Sequence, residues 1–246
     1  MRKLLLFPLT LFALAAFAAT PTGSGTASDP YVFSNIDQLA GWGSCDSCAG
    51  FNGSGPKTHY SMEAVSSPSL DGAALEFDLG GSTPYARALW WNSLTRSSAL
   101  LKNVHHFILD AYFYLTNPNA PYAIEYAVTQ YINGHKLNFG MQCNVKGTHM
   151  WDVSSGQSPT WRASSAPCAP PAPYTWHHVV MEFERVSGDK LHYVSINYDG
   201  KLTIVNRVYS PHSDRSTNLT FHYQMDGNKQ MTNYSTWLDE VTLKMW

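Results

Sequence analysis

Charge, long apolar runs and helical periodicity are all scarce in this sequence of 246 residues. Asp, Glu, Lys and Arg make up only 14% of it, the formal net charge is −2, and the basic residues form no run. Clustered Lys and Arg are what neutralise phosphates, so nucleic acid is disfavoured as a partner. No stretch after residue 18 approaches the roughly 20 consecutive apolar residues of a spanning helix, and no membrane span is expected in the mature chain. No amphipathic helix of three turns can be drawn. The sequence also lacks a G-x-S-x-G elbow, a glycine-rich phosphate loop and H-E-x-x-H, which leaves serine-esterase, phosphate-loop and zincin chemistry without support.

Residues 1–18 read as a secretory signal peptide. Arg2 and Lys3 precede an apolar segment, Leu4 to Ala16, that is interrupted by Pro8, and Ala16-Phe17-Ala18 is a small-x-small cleavage site. The mature chain is therefore expected to be secreted, extracellular or periplasmic. Its four cysteines fit disulfides in an oxidising compartment. Cys45 and Cys48 form a local C-x-x-C, and Cys143 with Cys168 would close a loop worth ~3 kcal/mol of chain entropy; other pairings stay open. The GSCDSCAG loop does not open a helix, which weighs against a redox thiol pair, and no second C-x-x-C accompanies it to hold zinc.

What the sequence has instead is aromatic residues, 13% of the total, with 8 Trp and 14 Tyr, and short runs of period two. Residues 19–30 are expected to be a flexible leader and residues 31–246 a single domain. Strands are predicted near 58–65, 73–79, 86–91, 104–115, 121–132 and 135–144, the regular spacing of an all-β sandwich. In Val104–Thr116, residues Phe107, Leu109, Ala111, Phe113 and Leu115 share the face expected in the core. Trp176–Asn206 reads as three strands broken at Ser187-Gly188-Asp189 and Asp199-Gly200, an antiparallel meander with a two-residue hairpin turn at the second break. From 145 to 175 the alternation fails, and the stretch is expected to be a long insertion folded over the sandwich.

The opening Trp176-His177-His178-Val179, the Asp199-Gly200 turn, and the closing segments FHYQMDGN (221–228) and STWLDEVTLKMW (235–246) resemble the concanavalin A-like lectin/glucanase superfamily, with its laminin-G-like members. The resemblance implies an antiparallel two-sheet jelly-roll sandwich. It also implies one of three roles: lectin-like binding of an extracellular polysaccharide or oligosaccharide, glycan cleavage by a glycoside hydrolase or polysaccharide lyase, or a non-catalytic protein-binding module. We carry the first forward, because fold alone does not choose.

Sugars offer C–H faces to aromatic rings and hydroxyls to paired donors and acceptors. The candidate ligand-binding residues are Trp151 and Trp161 in the insertion, Tyr112, Tyr114 and Tyr126 on strand faces read as outward, Gln130, and the polar row His222, Gln224 and Asp226. Hydrolysis needs a carboxyl pair. Of the acids that the glucanases carry on one strand only Glu125 is present, with Ala127 and Val128 where the resemblance places acids; Glu182 and Glu184 share a strand face and form the other candidate pair. Ala127 also removes a ligand from the metal pair of legume-type lectins. A structural calcium ion is expected, if anywhere, at Asp239, with Asp37 second. His105-His106 and His177-His178 point to opposite strand faces, so neither pair can chelate one ion.

Overall fold

The computed structural model describes residues 19–49, 58–156 and 160–246; the signal peptide expected at 1–18 lies outside them. The chain forms β1 (Tyr31–Phe33), a 3-10 turn (Ile36–Gln38), β2 (Gly43–Cys45), β3 (Thr58–Val65), β4 (Ala74–Gly81), β5 (Arg87–Thr95) and α1 (Ser98–Asn103). Then follow β6 (His106–Leu115), β7 (Pro121–Ile132), β8 (His135–Cys143), β9 (Met150–Ser154), β10 (Trp161–Pro167) and β11 (Thr175–Val186). The chain closes with β12 (Lys190–Tyr198), β13 (Lys201–Tyr209), β14 (His212–Ser213), β15 (Asn218–Gly227) and β16 (Tyr234–Met245). One sheet runs β13-β12-β11-β6-β16-β4-β3, with β1 added beside β16; the other runs β10-β9-β8-β7-β15-β5-β2, with β14 beside β8. All the pairings are antiparallel. This is the expected all-β, two-sheet jelly-roll sandwich.

Period-two alternation puts one side of every long strand between the sheets. Phe107, Leu109, Ala111, Phe113 and Leu115 are all fully buried, as are Val179, Met181 and Phe183 on β11. The second sheet answers with Phe139, Tyr126, Phe221 and Tyr223, and Phe139 lies 5.5 Å from both Phe107 and Phe183 between ring centroids. Asp199 and Gly200 both take positive φ, as the hairpin turn requires. The Asn133-Gly134 turn between β7 and β8 does the same.

Two segments differ from their reading. Residues 19–30 are paired to the domain: Thr22 and Val32 exchange backbone hydrogen bonds of 2.9–3.0 Å. The 145–175 stretch is not a loop laid over the sandwich but supplies β9 and β10, two edge strands of the second sheet. Its alternation is hard to read because β10 is rich in Ser and Ala and slips register between Ala163 and Pro167. Cys143 and Cys168 are bonded, tying β8 to the far end of that stretch. Cys45 and Cys48, expected among the disulfides, are free thiols here, held in a tight turn in which the Cys48 N–H donates to Cys45 Sγ at 2.9 Å.

Candidate functional site

The outer face of the second sheet carries a cleft of about 420 Å³ lined by Arg87, Leu89, Glu125, Lys136, Asn138, Trp161, His222 and Gln224, with Cys48, Ala49 and Thr160 at its rim. Strand register builds it. Leu89, Gln224, Glu125, Gln142 and Asp152 are opposed in turn across β5, β15, β7, β8 and β9, so a polar row crosses the sheet. The next row on the same face runs Trp91, His222, Ala127 and Gly140. Small residues make room for the indoles on either side. A Cβ on Gly140 would stand 3.3 Å from the Trp161 ring, and one on Gly43 would stand 2.5 Å from Trp91.

Glu125 is at the centre of the polar row, and its neighbours withhold their donors from it. Gln224 gives its amide N–H to Asp226 at 2.9 Å, and Gln142 gives its own to Asp152 at 3.2 Å. Asp152 is further fixed by Asn144 at 2.8 Å and Thr148 at 2.6 Å. Burial in the cleft floor, reinforced by the Asp226 charge, therefore pushes the Glu125 carboxyl from 4.5 up to about 8. At neutral pH it is a neutral acid able to donate a proton. Burial also raises Asp226, against the opposing charge of Arg87, whose Nε lies 3.3 Å away. His222 is pushed down to about 3 by burial and by the Lys136 charge, so its ring is neutral, one nitrogen donating and the other accepting.

Several polar atoms on this sheet face have no partner among the described residues. His222 Nε2 and Gln142 Oε1 are buried and unpaired. Asn138 accepts from the Thr129 hydroxyl at 2.7 Å through its carbonyl oxygen, which leaves its amide nitrogen uncommitted. Buried polar groups in folded proteins are ordinarily satisfied, so a group of uncommitted ones beside two indoles makes this face the candidate site.

The structure brings together Glu125, Trp161, His222, Gln224 and Asp226 and takes the other sequence candidates elsewhere. Trp151 is fully buried, packed edge-on to Tyr198 at 5.5 Å, because it shares its strand face with the core residue Val153. Tyr126 and Gln130 are also buried: on β7 the odd positions face the cleft and the even ones the core. Gln130 donates there to the carbonyls of Leu101 and Val104 at 2.8 and 3.1 Å, closing the end of α1. Tyr112 and Tyr114 stand on the outer face of the first sheet, where Tyr112 stacks on His178 and Tyr114 packs against Trp176 and Trp237.

Glu182 and Glu184 lie on that face too. Glu182 is bonded to His106 at 2.9 Å and to Ser195 at 2.9 Å, and Glu184 to His192 at 2.8 Å and His106 at 3.1 Å. Partial burial would raise Glu184, but the His192 hydrogen bond and the His106 charge outweigh it and hold the carboxyl below its ordinary value. Both acids are tied into a network with His106, His192 and Ser195 on this face. Asp239 is buried, with its oxygens taken by Ser69 Oγ (2.8 Å), Leu70 N–H (2.5 Å) and Glu240 N–H (2.8 Å). Asp37 accepts from Val241 N–H at 2.8 Å, and burial pushes it up to about 7. Both serve the β16 bulge, and no group of three or more His, Cys, Asp or Glu among the described residues is placed to hold a metal ion. His177 pairs with Asp199 at 2.7 Å and His178 with Asp110 at 2.7 Å, on opposite faces of β11.

Two further hollows, of about 470 and 550 Å³, open on other surfaces; one is lined by His59, Ser61, Asp78 and Asn233, the other by Asp71, Asp110, Tyr112, His178 and Glu240. Size does not select among the three. The cleft alone of these combines an acid raised to about 8, unpaired buried polar atoms and an indole wall.

Sequence reading missed Arg87, Trp91, Lys136, Asn138 and Gln142. A signal for Gln142 was present: a two-residue Asn133-Gly134 turn pairs Ile132 with His135 and thereby Glu125 with Gln142. Arg87 and Trp91 come from a strand distant in sequence, and no local pattern points to them.

No protein-family model matches the chain, and no curated protein matches it. Among solved structures, it is similar to a carbohydrate esterase from Shiga toxin-encoding bacteriophage phi24B, with a TM-score of 0.47 and 12% identity over 86% of this chain and 95% of that one. It is similar to the cellulose-induced protein Cip1, with a TM-score of 0.47 and 11% identity over 81% of this chain and 95% of that one. It is also similar to the globular domain of T. cruzi calreticulin, with a TM-score of 0.46 and 6% identity over 86% of this chain and 87% of that one.

Proposed function

We propose that the cleft on the second sheet binds a saccharide, and that the protein is an exported, lectin-like recognition domain. The observation that carries this reading is the pair of uncommitted polar groups in the cleft lining, His222 Nε2 and the Asn138 amide nitrogen, beside Trp161, with Gln142 Oε1 and Trp91 at neighbouring positions of the same sheet face. Sugar hydroxyls would satisfy the polar atoms, and C–H faces would lie on the indoles. Export rests on the signal-like N-terminal segment, and the Cys143–Cys168 disulfide fits an oxidising compartment. Glycan-array binding, followed by titration of the best ligand, tests the reading. Trp161→Ala should weaken that ligand by ~1–2 kcal/mol, the scale of one aromatic contact. Unchanged affinity would remove the cleft from the binding surface.

A second reading, glycan cleavage, has one specific observation in its favour. Glu125 keeps its proton at neutral pH, as a general acid must, and Asp226 stands diagonally across β15 from it. Release of reducing ends that disappears in Glu125→Gln would establish cleavage; binding without release supports recognition alone. The exposed apolar residues Leu202, Ile204 and Val208 sit on edge strand β13, outside the cleft.

A further inference from the structure

We propose that the saccharide taken by this cleft is a polyanion, a chain carrying repeated carboxylates of the uronate type, with Lys136 and Arg87 receiving those carboxylates. This rests on the saccharide reading above and adds the charge of the ligand to it.

Cations are few in this protein, 16 Lys and Arg in 246 residues, yet two of them line one cleft. Lys136 forms no ion pair among the described residues; its ammonium sits 5.8 Å from the Tyr131 ring and is otherwise uncommitted. It lines the cleft, and its charge is felt by His222 and Glu125 there and by Asp214 beside β14. Arg87 Nε lies 3.3 Å from Asp226 Oδ2 as an ion pair without a hydrogen bond, and its terminal amino groups have no acceptor among the described residues. A guanidinium with its donors uncommitted is suited to bidentate contact with a carboxylate.

The one other acid lining the cleft does not oppose an anion. Glu125 receives no hydrogen bond from either flanking glutamine, and as a neutral acid it can donate to a carboxylate or a hydroxyl. The contrast with the hollow on the first sheet is direct: Asp71, Asp110 and Glu240 face Lys244 there, a lining that repels an acidic chain.

Register also sets the ligand's length. Arg87 is opposite Asp226, whereas Lys136 is opposite Tyr131, which pairs with Asn218. Asp226 and Asn218 are eight positions apart on β15, ~26 Å at about 3.3 Å per residue. The two side chains are therefore attached far apart along the sheet and lean into one cleft from opposite ends, an arrangement that suits a chain with charges along its length. The row of hydroxyl-matching groups between them, His222, Gln142 and Asn138, is then left for the sugar rings.

The test is calorimetric titration of the full chain with an oligogalacturonate and with a cello-oligosaccharide of equal length, on wild type and on Lys136→Gln. Lys136 is a surface side chain, so the variant should fold; far-ultraviolet circular dichroism verifies that it does. The expected result is tighter binding of the acidic chain, weakened roughly tenfold or more in the variant, the scale of one charge-assisted hydrogen bond. Binding of the neutral chain should fall by a smaller factor than that of the acidic chain, because it loses a contact but no charge pair. Preference for the neutral chain, or acidic-chain affinity indifferent to Lys136→Gln, overturns the inference and leaves the saccharide reading standing. Binding of neither chain here, with no ligand on a glycan array, overturns both.

Discussion

Replacing Glu125 by Gln should stabilise the protein above neutral pH, and the reason can be worked through from the cleft. Below its ordinary value of 4.5 the carboxyl is protonated in both the folded and unfolded chains, so it adds no pH dependence. Between 4.5 and about 8 the unfolded chain releases the proton while the folded chain keeps it. The folded state then binds more protons, and its stability falls as pH rises through that window. Above about 8 the folded chain too is ionised and carries the cost of a half-buried charge with no donor from either neighbouring glutamine. At about 1.4 kcal/mol per pH unit, the interval amounts to as much as ~5 kcal/mol. Glu125→Gln keeps the shape and removes the charge. Urea unfolding of both proteins at a series of pH values from about 4 to about 9 should show the variant gaining on wild type by several kcal/mol, the whole gain falling inside the window. Asp226 remains in both proteins, so its own titration largely cancels in the difference. Stability curves that stay parallel across the range would refute the argument, because they would mean that Glu125 ionises in the folded chain as readily as in the unfolded one.

Trp151→Ala should act on stability rather than through loss of a sugar contact. The indole is fully buried against Tyr126 and Tyr198, and its removal should cost ~3–5 kcal/mol; denaturant unfolding measures this, and a loss below ~1 kcal/mol would contradict its place in the core. Gln130→Leu should cost ~1–3 kcal/mol, because the Leu101 carbonyl loses its donor whereas that of Val104 keeps Arg185 Nη2 at 3.0 Å. Hydrogen exchange should show the amides of α1 losing protection in that variant before those of the sheets, and uniform protection would argue against the role.

Which groups in the cleft face outward was only partly legible in the sequence, and the reasons are local. On β15 the alternation is clean: Leu219, Phe221, Tyr223 and Met225 are apolar, and His222, Gln224 and Asp226 therefore read correctly as the opposite face. β7 is central in its sheet, between β15 and β8, and in AIEYAVTQYI neither parity is purely polar or apolar. Tyr126 is read outward and Gln130 as a ligand contact, although their partners are the core and the end of α1. Trp151 and Trp161 are ten residues apart in similar Ser-rich surroundings, and hydropathy assigns them no side.

Sequence alone determined the fold class, because period-two alternation and Asp-Gly or Asn-Gly turns are local properties that leave antiparallel sheet as the way to bury one face of each strand. It also determined the core of β6 and β11. What only the tertiary structure decided was the site: which strands are neighbours, and thus that Arg87, Gln224, Glu125 and Lys136 meet although they are scattered from one end of the domain to the other. Their approach follows from cross-strand register between segments far apart in the chain, and the shifted acidity of Glu125 follows from the burial and the diverted donors that this register creates. Neither quantity exists until the sheets have closed.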